Sequence, residues 1–266
     1  MDENSENSQL AGIAQVWQAN ESLWNDKLIP MLLDPLEKEG GIRWAGTWEH
    51  VLAIAFGRSL KTFEAVQLLS DPRRPRYLWD DAFVLTRSLY ETFVTLEWVR
   101  VSPDRAQMVL DEFTLKLAHF AQHLREDLNP KQILKIFTDR DAVLRHHGRG
   151  PGTLSLLPSV EDRVRTIAEL LKERHPNLKW EYEFYYRDVS GIAHMSGWGL
   201  VLSMSGETVQ SSPRTGYNAV LCNGLWIFRI LNCWNRTFRR IADDTLNDWR
   251  TEWAKRARIS ENRLKS

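Results

Sequence analysis

The segment LWDDAFVLTRSLYETFVTLEWVRVS, from Leu78 to Ser102, decides the fold class of this chain. Its apolar side chains return every three or four positions, at Leu78, Ala82, Leu85, Leu89, Phe93, Leu96 and Val99. That interval is the period of an α-helix with one buried face, whereas a strand would alternate at every second residue. We therefore predict a helix from Leu78 that stops near Ser102, where Ser102 caps the next helix and Pro103 starts it.

The same helical period recurs through most of the chain. It predicts helices over 10–39, 47–70, 103–124, 130–147, 159–174 and 180–195, and a last long helix from Tyr217 that continues through Trp249 and Trp253. Pro30 and Pro35 interrupt the first of these. Residues 198–213 tolerate β structure and indicate a small hairpin or a loop. The sequence predicts an all-α bundle of about 7–9 helices.

The organisation of the chain is predicted to be simple. Residues 1–8 are polar and are expected to be disordered, and residues 9–266 are expected to form a single helical domain. The stretch 139–158 is at most an insertion between two halves of the bundle. Most of the 12 tryptophans fall at apolar positions of the predicted helices. They predict a wide bundle filled by large side chains, notably by Trp17, Trp48, Trp98, Trp226 and Trp234, whose indole N–H groups need internal polar partners.

Composition excludes several classes of protein. The chain has 266 residues, of which 35 are basic and 35 acidic, so its formal net charge is zero. A net charge of zero argues against binding nucleic acid or membrane by bulk electrostatics. No apolar stretch is long enough to span a membrane, and the N-terminus lacks the features of a secretory signal. Cys222 and Cys233 fall in one predicted helix, about 16 Å apart, too far for a disulfide. We expect buried, reduced thiols and a cytoplasmic protein.

One predicted helix carries an unusual polar face. Arg187 and His194 are seven residues apart and stack on one side of an ideal helix, with Ser190 between them and Tyr186 four residues before Ser190. Such a face offers a cation for a phosphate, an imidazole that titrates near neutrality and two hydroxyls. The alternative is structural, with His194 bonding a neighbouring carboxylate and Arg187 pairing with Glu183.

A second polar pair lies within the apolar helix after Leu78. Arg87 and Glu91 are spaced for an ion pair one helical turn apart. Because buried charges need partners, the pair indicates an interior polar network in which His194 is one partner for Glu91. A surface ion pair is the alternative.

Together these two segments resemble an uncharacterised, all-helical bacterial family known only as a domain of unknown function. Its members carry an Arg-Ser-Leu-x-Glu segment after a helix like 58–69, which here is RSLYE at 87–91. They later carry Tyr-x3-Ser-x3-His, which here is Tyr186, Ser190 and His194. The matching regions are 55–100 and 180–200.

The spacing of Arg187 and His194 also resembles the Arg-x4–6-His signature of the HEPN superfamily, small helical bundles found in ribonuclease toxins and anti-phage defence proteins. The polar residue that usually follows the arginine is present as Asp188. This resemblance implies metal-independent RNA cleavage by a homodimer, with His194 as general base or acid and Arg187 as a phosphate clamp.

In the same resemblance, the remaining polar residues support those two. Ser190 and Tyr186 hydrogen-bond the phosphate or orient His194, and Glu91, with Arg87 beside it, fixes the histidine tautomer. Basic groups beside a glycine-rich loop, at Arg145, His147 and Arg149 together with His146, would grip RNA. A solvated loop without ligand is the alternative for that loop.

Glu112, His119, His123 and Glu126 share one face of a predicted helix and could bind zinc or iron. Their order reverses the Glu-x-x-His arrangement of di-iron proteins, so a solvated face is favoured and no metal or cofactor is expected.

The C-terminal stretch 236–265 holds nine basic and five acidic residues, a difference of +4. It could dock on a partner protein, a membrane surface or RNA, or form a final helix whose Trp249 and Trp253 pack on the bundle.

Three functional hypotheses follow from the sequence. The first is a HEPN-like ribonuclease or defence effector. The second is a non-catalytic helical interaction or scaffold module whose polar cluster is structural. The third is a metal-dependent enzyme that uses His119 and His123.

Overall fold

The computed structural model describes residues 3–123, 129–187, 189–190 and 212–257. Over these ranges the regular structure is entirely helical, which confirms the predicted all-α bundle. In chain order the helices are α1 (Glu3–Ser22), α2 (Leu23–Leu33), α3 (Asp34–Lys38), α4 (Thr47–Leu69), α5 (Leu78–Val101), α6 (Arg105–His123), α7 (Pro130–His146), α8 (Val160–Leu170), α9 (Leu178–Glu181), α10 (Tyr182–Tyr186), α11 (Pro213–Phe238) and α12 (Asp243–Arg256). The predicted hairpin at 198–213 lies almost wholly outside the described residues.

The first predicted helix is a run of three segments, with a π-helical segment between two α-helical ones. The described helix begins at Glu3, within the stretch 1–8 for which disorder is predicted, because the chain prolongs a helix already anchored by the buried Ile13 and Val16. Pro30 lies inside α2, which is π-helical, and the N–H of Asp34 bonds to the carbonyl of Ile29, five residues back. Proline cannot donate the ordinary helical bond, and the wider winding accommodates it without ending the helix.

Local signals place several helix ends where the sequence predicts them. Asn129 caps α7 through its side chain and Gln132 returns a bond to the Asn129 N–H. The Ser159 hydroxyl accepts a bond from the N–H of Asp162 at the start of α8. Each capped terminus satisfies N–H groups that have no partner within the helix.

Helix α11 is the centre of the bundle. It packs against α5, α4 and α1, and α5 in turn packs against α4 and α8. Trp234 of α11 stacks on Phe56 of α4 with ring centroids 4.6 Å apart, and Trp226 meets Tyr90 of α5 edge to face at 4.9 Å. Stacking of this kind adds to the burial of large apolar area, so the aromatic side chains hold the three helices together.

The tryptophans fill the core, as predicted for most of them. Trp17, Trp98, Trp226 and Trp234 are buried, whereas Trp48 is only partly buried at the start of α4. The Trp17 N–H donates to the carbonyl of Gln67 at 2.8 Å. Within the described residues, the indole N–H groups of Trp79 and Trp234 have no hydrogen-bond partner.

The last long helix is two helices rather than one. Arg239 has a φ of 49°, a left-handed conformation that ends α11, and α12 starts at Asp243. The break lets α12 fold back, and Trp249 and Trp253 are buried against α1 and its neighbours. The interpretation of this stretch as a helix packed on the bundle is therefore the one that the structure shows for residues up to 257.

Both cysteines are buried free thiols on α11. No helix among the described residues has the length and apolarity needed to cross a membrane.

Candidate functional site

The short helix that carries Tyr186 and Arg187 changes winding before it reaches them. The chain turns into α9 at Leu178, continues as the π-helical α10, and the N–H of Arg187 bonds to the carbonyl of Tyr182, five residues back. A π-helical turn shifts the register of side chains relative to an ideal α-helix, and such turns are frequent at functional sites. A constant 100° per residue therefore does not describe the winding from Tyr182 to Tyr186.

Tyr186 faces inward and closes a polar network with α5. Its hydroxyl donates to Oε1 of Glu91 at 2.8 Å and accepts from Nη2 of Arg87 at 3.1 Å. Nε of Arg87 donates to the same Glu91 oxygen at 2.8 Å. The sequence singles out all three residues, and the structure brings them together, with Tyr186 in contact with Glu91.

The surroundings of the network keep the phenol protonated. Burial, followed by the hydrogen bond to the Glu91 carboxylate, raises the pKa of Tyr186 to about 12. The Arg87 guanidinium lies over the Tyr186 ring at 5.1 Å, and the rings of Tyr90 and Tyr182 lie within 5.4 Å of that ring. At neutral pH Tyr186 is therefore a hydrogen-bond donor to Glu91 rather than a base.

Arg163 of α8 is a buried cation beside this network that the sequence reasoning missed. Its guanidinium donates to the Thr95 hydroxyl, and Thr95 lies one turn after Glu91 on α5. Burial lowers the pKa of Arg163, and its Nε has no hydrogen-bond partner in the part of the chain that the structure describes. The sequence does contain a signal for this buried cation, because Arg163 comes directly before Val164 and four residues before Ile167, both buried positions of α8.

Arg187, next in the chain, is exposed to solvent. Its side chain is 65% exposed and pairs with Glu183 through a bond of 2.8 Å between Nη1 and Oε2. Tyr186 and Arg187 thus do not share the single polar face that the sequence predicts. Ser190 is half-buried, whereas His194 and Asp188 lie outside the described residues.

A second polar cluster is centred on Glu97, which is only 1% exposed. Its carboxylate accepts from Nε of Arg100 at 2.9 Å, from Nε2 of His175 at 3.1 Å and from the Cys233 thiol at 2.9 Å. Burial acts to raise the pKa of Glu97, but the bonds from His175, Arg100 and Cys233 outweigh it and hold that pKa at about 2. Burial and the Glu97 charge raise the pKa of Cys233, so the thiol stays protonated.

The predicted RNA-binding residues beside the glycine-rich loop differ in their exposure to solvent. Arg145 and Arg149 are exposed, whereas His147 is half-buried and its Nε2 lies 2.8 Å from Oδ2 of Asp111. Arg145 and Arg149, together with the exposed His146, are therefore open to a ligand as they stand.

The structure brings together a different set of possible metal ligands from the set that the sequence predicts. The Glu112 carboxylate accepts bonds from the Ser155 hydroxyl and the N–H of Leu156, which fixes the loop. His119 is exposed, and the side chains of His123 and Glu126 fall outside the described residues. Within the described ranges, one group has metal-ligating atoms that lie within 4.8 Å of each other, formed by Asp111, His146 and His147.

We expect Tyr186→Phe to lower the free energy of unfolding by about 1 kcal/mol, because a buried donor to Glu91 and an acceptor for Arg87 are both lost. The matched control is Tyr182→Phe on the same helix, whose hydroxyl makes a long 3.4 Å bond to Glu161 at the surface. That change should cost less than about 0.5 kcal/mol. Equal urea midpoints for the two variants would contradict the network.

Comparison with known proteins places the two motifs in one family. The model of a family of unknown function, DUF5677, matches residues 49–210, more than half of the 266-residue chain. The match includes RSLYE at 87–91 and the segment from Tyr186 to His194, which confirms the resemblance to an uncharacterised helical family. The curated proteins and the solved structures hold no significant match to the chain. The chain belongs to the DUF5677 family.

Proposed function

We propose that this protein is a metal-independent endoribonuclease of HEPN-like type, acting as a homodimer. The observation that supports this best is the placement of Arg187, whose guanidinium is 65% exposed and lies one residue after Tyr186. The inward network of Tyr186, Glu91 and Arg87 anchors the helix from within, so that Arg187 is presented to solvent from a fixed backbone. An exposed arginine held in this way suits a phosphate clamp.

The proposed reaction needs one base and one site of charge stabilisation. Neutral His194 takes the proton of a ribose 2′-hydroxyl, the 2′-oxygen bonds to phosphorus, and the bond from phosphorus to the 5′-oxygen breaks. The 5′-oxygen takes up a proton from a solvent water molecule as it leaves, and the other product ends in a 2′,3′-cyclic phosphate. Arg187 exchanges its surface pair with Glu183 for the phosphoryl oxygens, on which negative charge builds.

In this proposal the network residues position the reacting groups. Tyr186, Glu91 and Arg87 fix the helix that bears Arg187, and the half-buried Ser190 lies between Arg187 and His194 in sequence. Arg145 and Arg149, exposed beside the glycine loop, supply further contacts for RNA. His147, held by Asp111, becomes a contact only when that pair opens.

The test is cleavage of single-stranded RNA by the purified chain in excess EDTA. We expect His194→Ala and Arg187→Ala each to lose about 100-fold or more of the rate. The matched control is Arg165→Ala, because Arg165 is 62% exposed and also pairs with acidic residues on its own helix. That variant should cleave at the wild-type rate. No cleavage by the wild type, or equal cleavage by all variants, would refute the proposal.

The second candidate function is a helical interaction module in which the same network is purely structural. The observation in its favour is that Arg87, Glu91 and Tyr186 hydrogen-bond one another. A satisfied network specifies packing without any chemistry. This function predicts that the wild type does not cleave RNA, and that Tyr186→Phe nevertheless lowers its free energy of unfolding.

A further inference from the structure

An arginine-lined cavity lies away from the network described above. It has a volume of about 600 Å³ and opens between the loop after α8, the C-terminal half of α11, and α12. Its polar wall contains five arginines and one carboxylate, that of Asp243, the arginines being Arg174, Arg229, Arg236, Arg239 and Arg250. The break at Arg239 creates the cavity, because it turns α12 back beside α11.

The positive charge of this cavity is only partly neutralised. Arg229 makes two bonds of 2.7 Å to Glu181, and Arg239 pairs with Asp243 at 3.2 Å. Among the described residues, Arg174, Arg236 and Arg250 have no ion-pair partner. Three guanidinium groups with no ion-pair partner among the described residues therefore line one concave space.

The positions of the arginines follow from helix geometry. Arg229 and Arg236 are seven residues apart on α11, so they lie on one face two turns apart. Arg250 lies one turn from Leu246 and three residues from Trp253 on α12, both of which are buried in the floor of the cavity. Rigid helices thus aim the charges of Arg236 and Arg250 into the same space.

The positive charges near Arg174 also favour an anion in this place. Burial, and then the neighbouring charges of Arg236 and Arg100, lower the pKa of Arg174. Glu97 offsets some of this positive charge from below, where it bonds His175, a residue of the cavity wall. An anion between the arginines would remove the remaining repulsion.

We propose that this cavity binds a small molecule that carries a phosphate group. A phosphomonoester brings a charge of about −2 and three acceptor oxygens, which match several guanidinium forks better than a single carboxylate does. The volume falls within the range of about 300–1,000 Å³ that is usual for small-molecule sites. A concave site of this size fits a small ligand better than an RNA strand. The basic residues of the C-terminal stretch that line it are therefore expected to bind a small ligand rather than to coat nucleic acid.

The test measures binding by calorimetry, with inorganic pyrophosphate, ADP, AMP and adenosine as probes and no metal present. We expect saturable 1:1 binding of the phosphate compounds and at least tenfold weaker binding of adenosine. A preference for ADP or AMP over pyrophosphate would assign a nucleotide, and the reverse order would assign the phosphate groups alone. Because RNA cleavage is not measured, this result is independent of the proposed function.

Two variants test the location of the site. Arg236→Gln with Arg250→Gln should weaken binding at least tenfold, and the reversed charge of Arg250→Glu at the exposed rim should do the same. Arg58→Gln is the control, since Arg58 is an exposed arginine on α4 far along the chain from the cavity. Circular dichroism and an unchanged Tm without ligand would show that the variants fold. Binding of none of the phosphate probes, equal affinity in all variants, or arginine-dependent binding of RNA alone would overturn the proposal.

Discussion

Gly224→Ala is expected to destabilise the protein by about 3 kcal/mol or more, through overpacking at the centre of the bundle. A Cβ at Gly224 would lie 2.2 Å from Cζ2 of Trp253 and 2.6 Å from Oδ1 of Asn20. Both neighbours are buried, and the Trp253 N–H donates to that same Asn20 oxygen at 2.7 Å. The methyl group must therefore displace a fixed ring and break a buried hydrogen bond, which adds a desolvation cost.

The control for this change is Gly57→Ala on α4. Gly57 also lies in the interior of a helix, but a Cβ there meets no atom within 4 Å. Alanine should stabilise that helix by about 0.5–1 kcal/mol, since it restricts the unfolded chain and favours helical backbone. The two substitutions are thus expected to shift the urea midpoint in opposite directions. A wild-type midpoint for Gly224→Ala would show that α11 and α12 do not approach as closely as the structure indicates.

The positions of the helices were predictable because the buried side chains of a helix recur every three or four residues in the sequence. Thr47 and Leu78 begin helices where the apolar spacing begins, and Asn129 and Ser159 cap helices as their side chains suggest. Winding type was not predictable, because a π-helical turn changes which carbonyl accepts each bond and leaves the apolar residues at similar intervals. The split between α11 and α12 was missed for a related reason: Arg239, a non-glycine residue, adopts the left-handed conformation that ends the helix.

Only part of the candidate site could be predicted from the sequence. Arg87 and Glu91 were identified as polar groups in an apolar helix and Tyr186 as part of a polar helix face, but the hydrogen bond between Tyr186 and Glu91 was not predicted. Long-range pairing of this kind depends on how two helices cross, which local spacing does not encode. Glu97 was missed although it lies one turn after Phe93 on the buried face of α5, where an acidic residue is itself a signal.

The carboxylate of Glu97 should be a main source of stability at neutral pH. Glu97→Gln is expected to lower the free energy of unfolding by about 3 kcal/mol, because it leaves Arg100 and His175 beside a neutral amide in a buried place. The matched control is Glu39→Gln, which removes an exposed ion pair with Arg240. That control should change the free energy by less than about 1 kcal/mol. Similar losses in both variants would contradict a special role for the buried cluster.

Acid should remove the difference between the wild type and Glu97→Gln. The pKa of Glu97 is about 2 in the folded protein and 4.5 is its ordinary value, so the folded state favours the charged carboxylate. Its contribution is then fully present above pH 4.5 and is lost as the pH falls through about 2. We expect urea unfolding to show a constant gap between the two proteins from pH 7 to about 5, which narrows steadily at lower pH as protonated Glu97 comes to resemble glutamine. A gap that stayed constant down to about pH 2, or that widened on acidification, would mean that Glu97 is not held as a carboxylate by Arg100, His175 and Cys233.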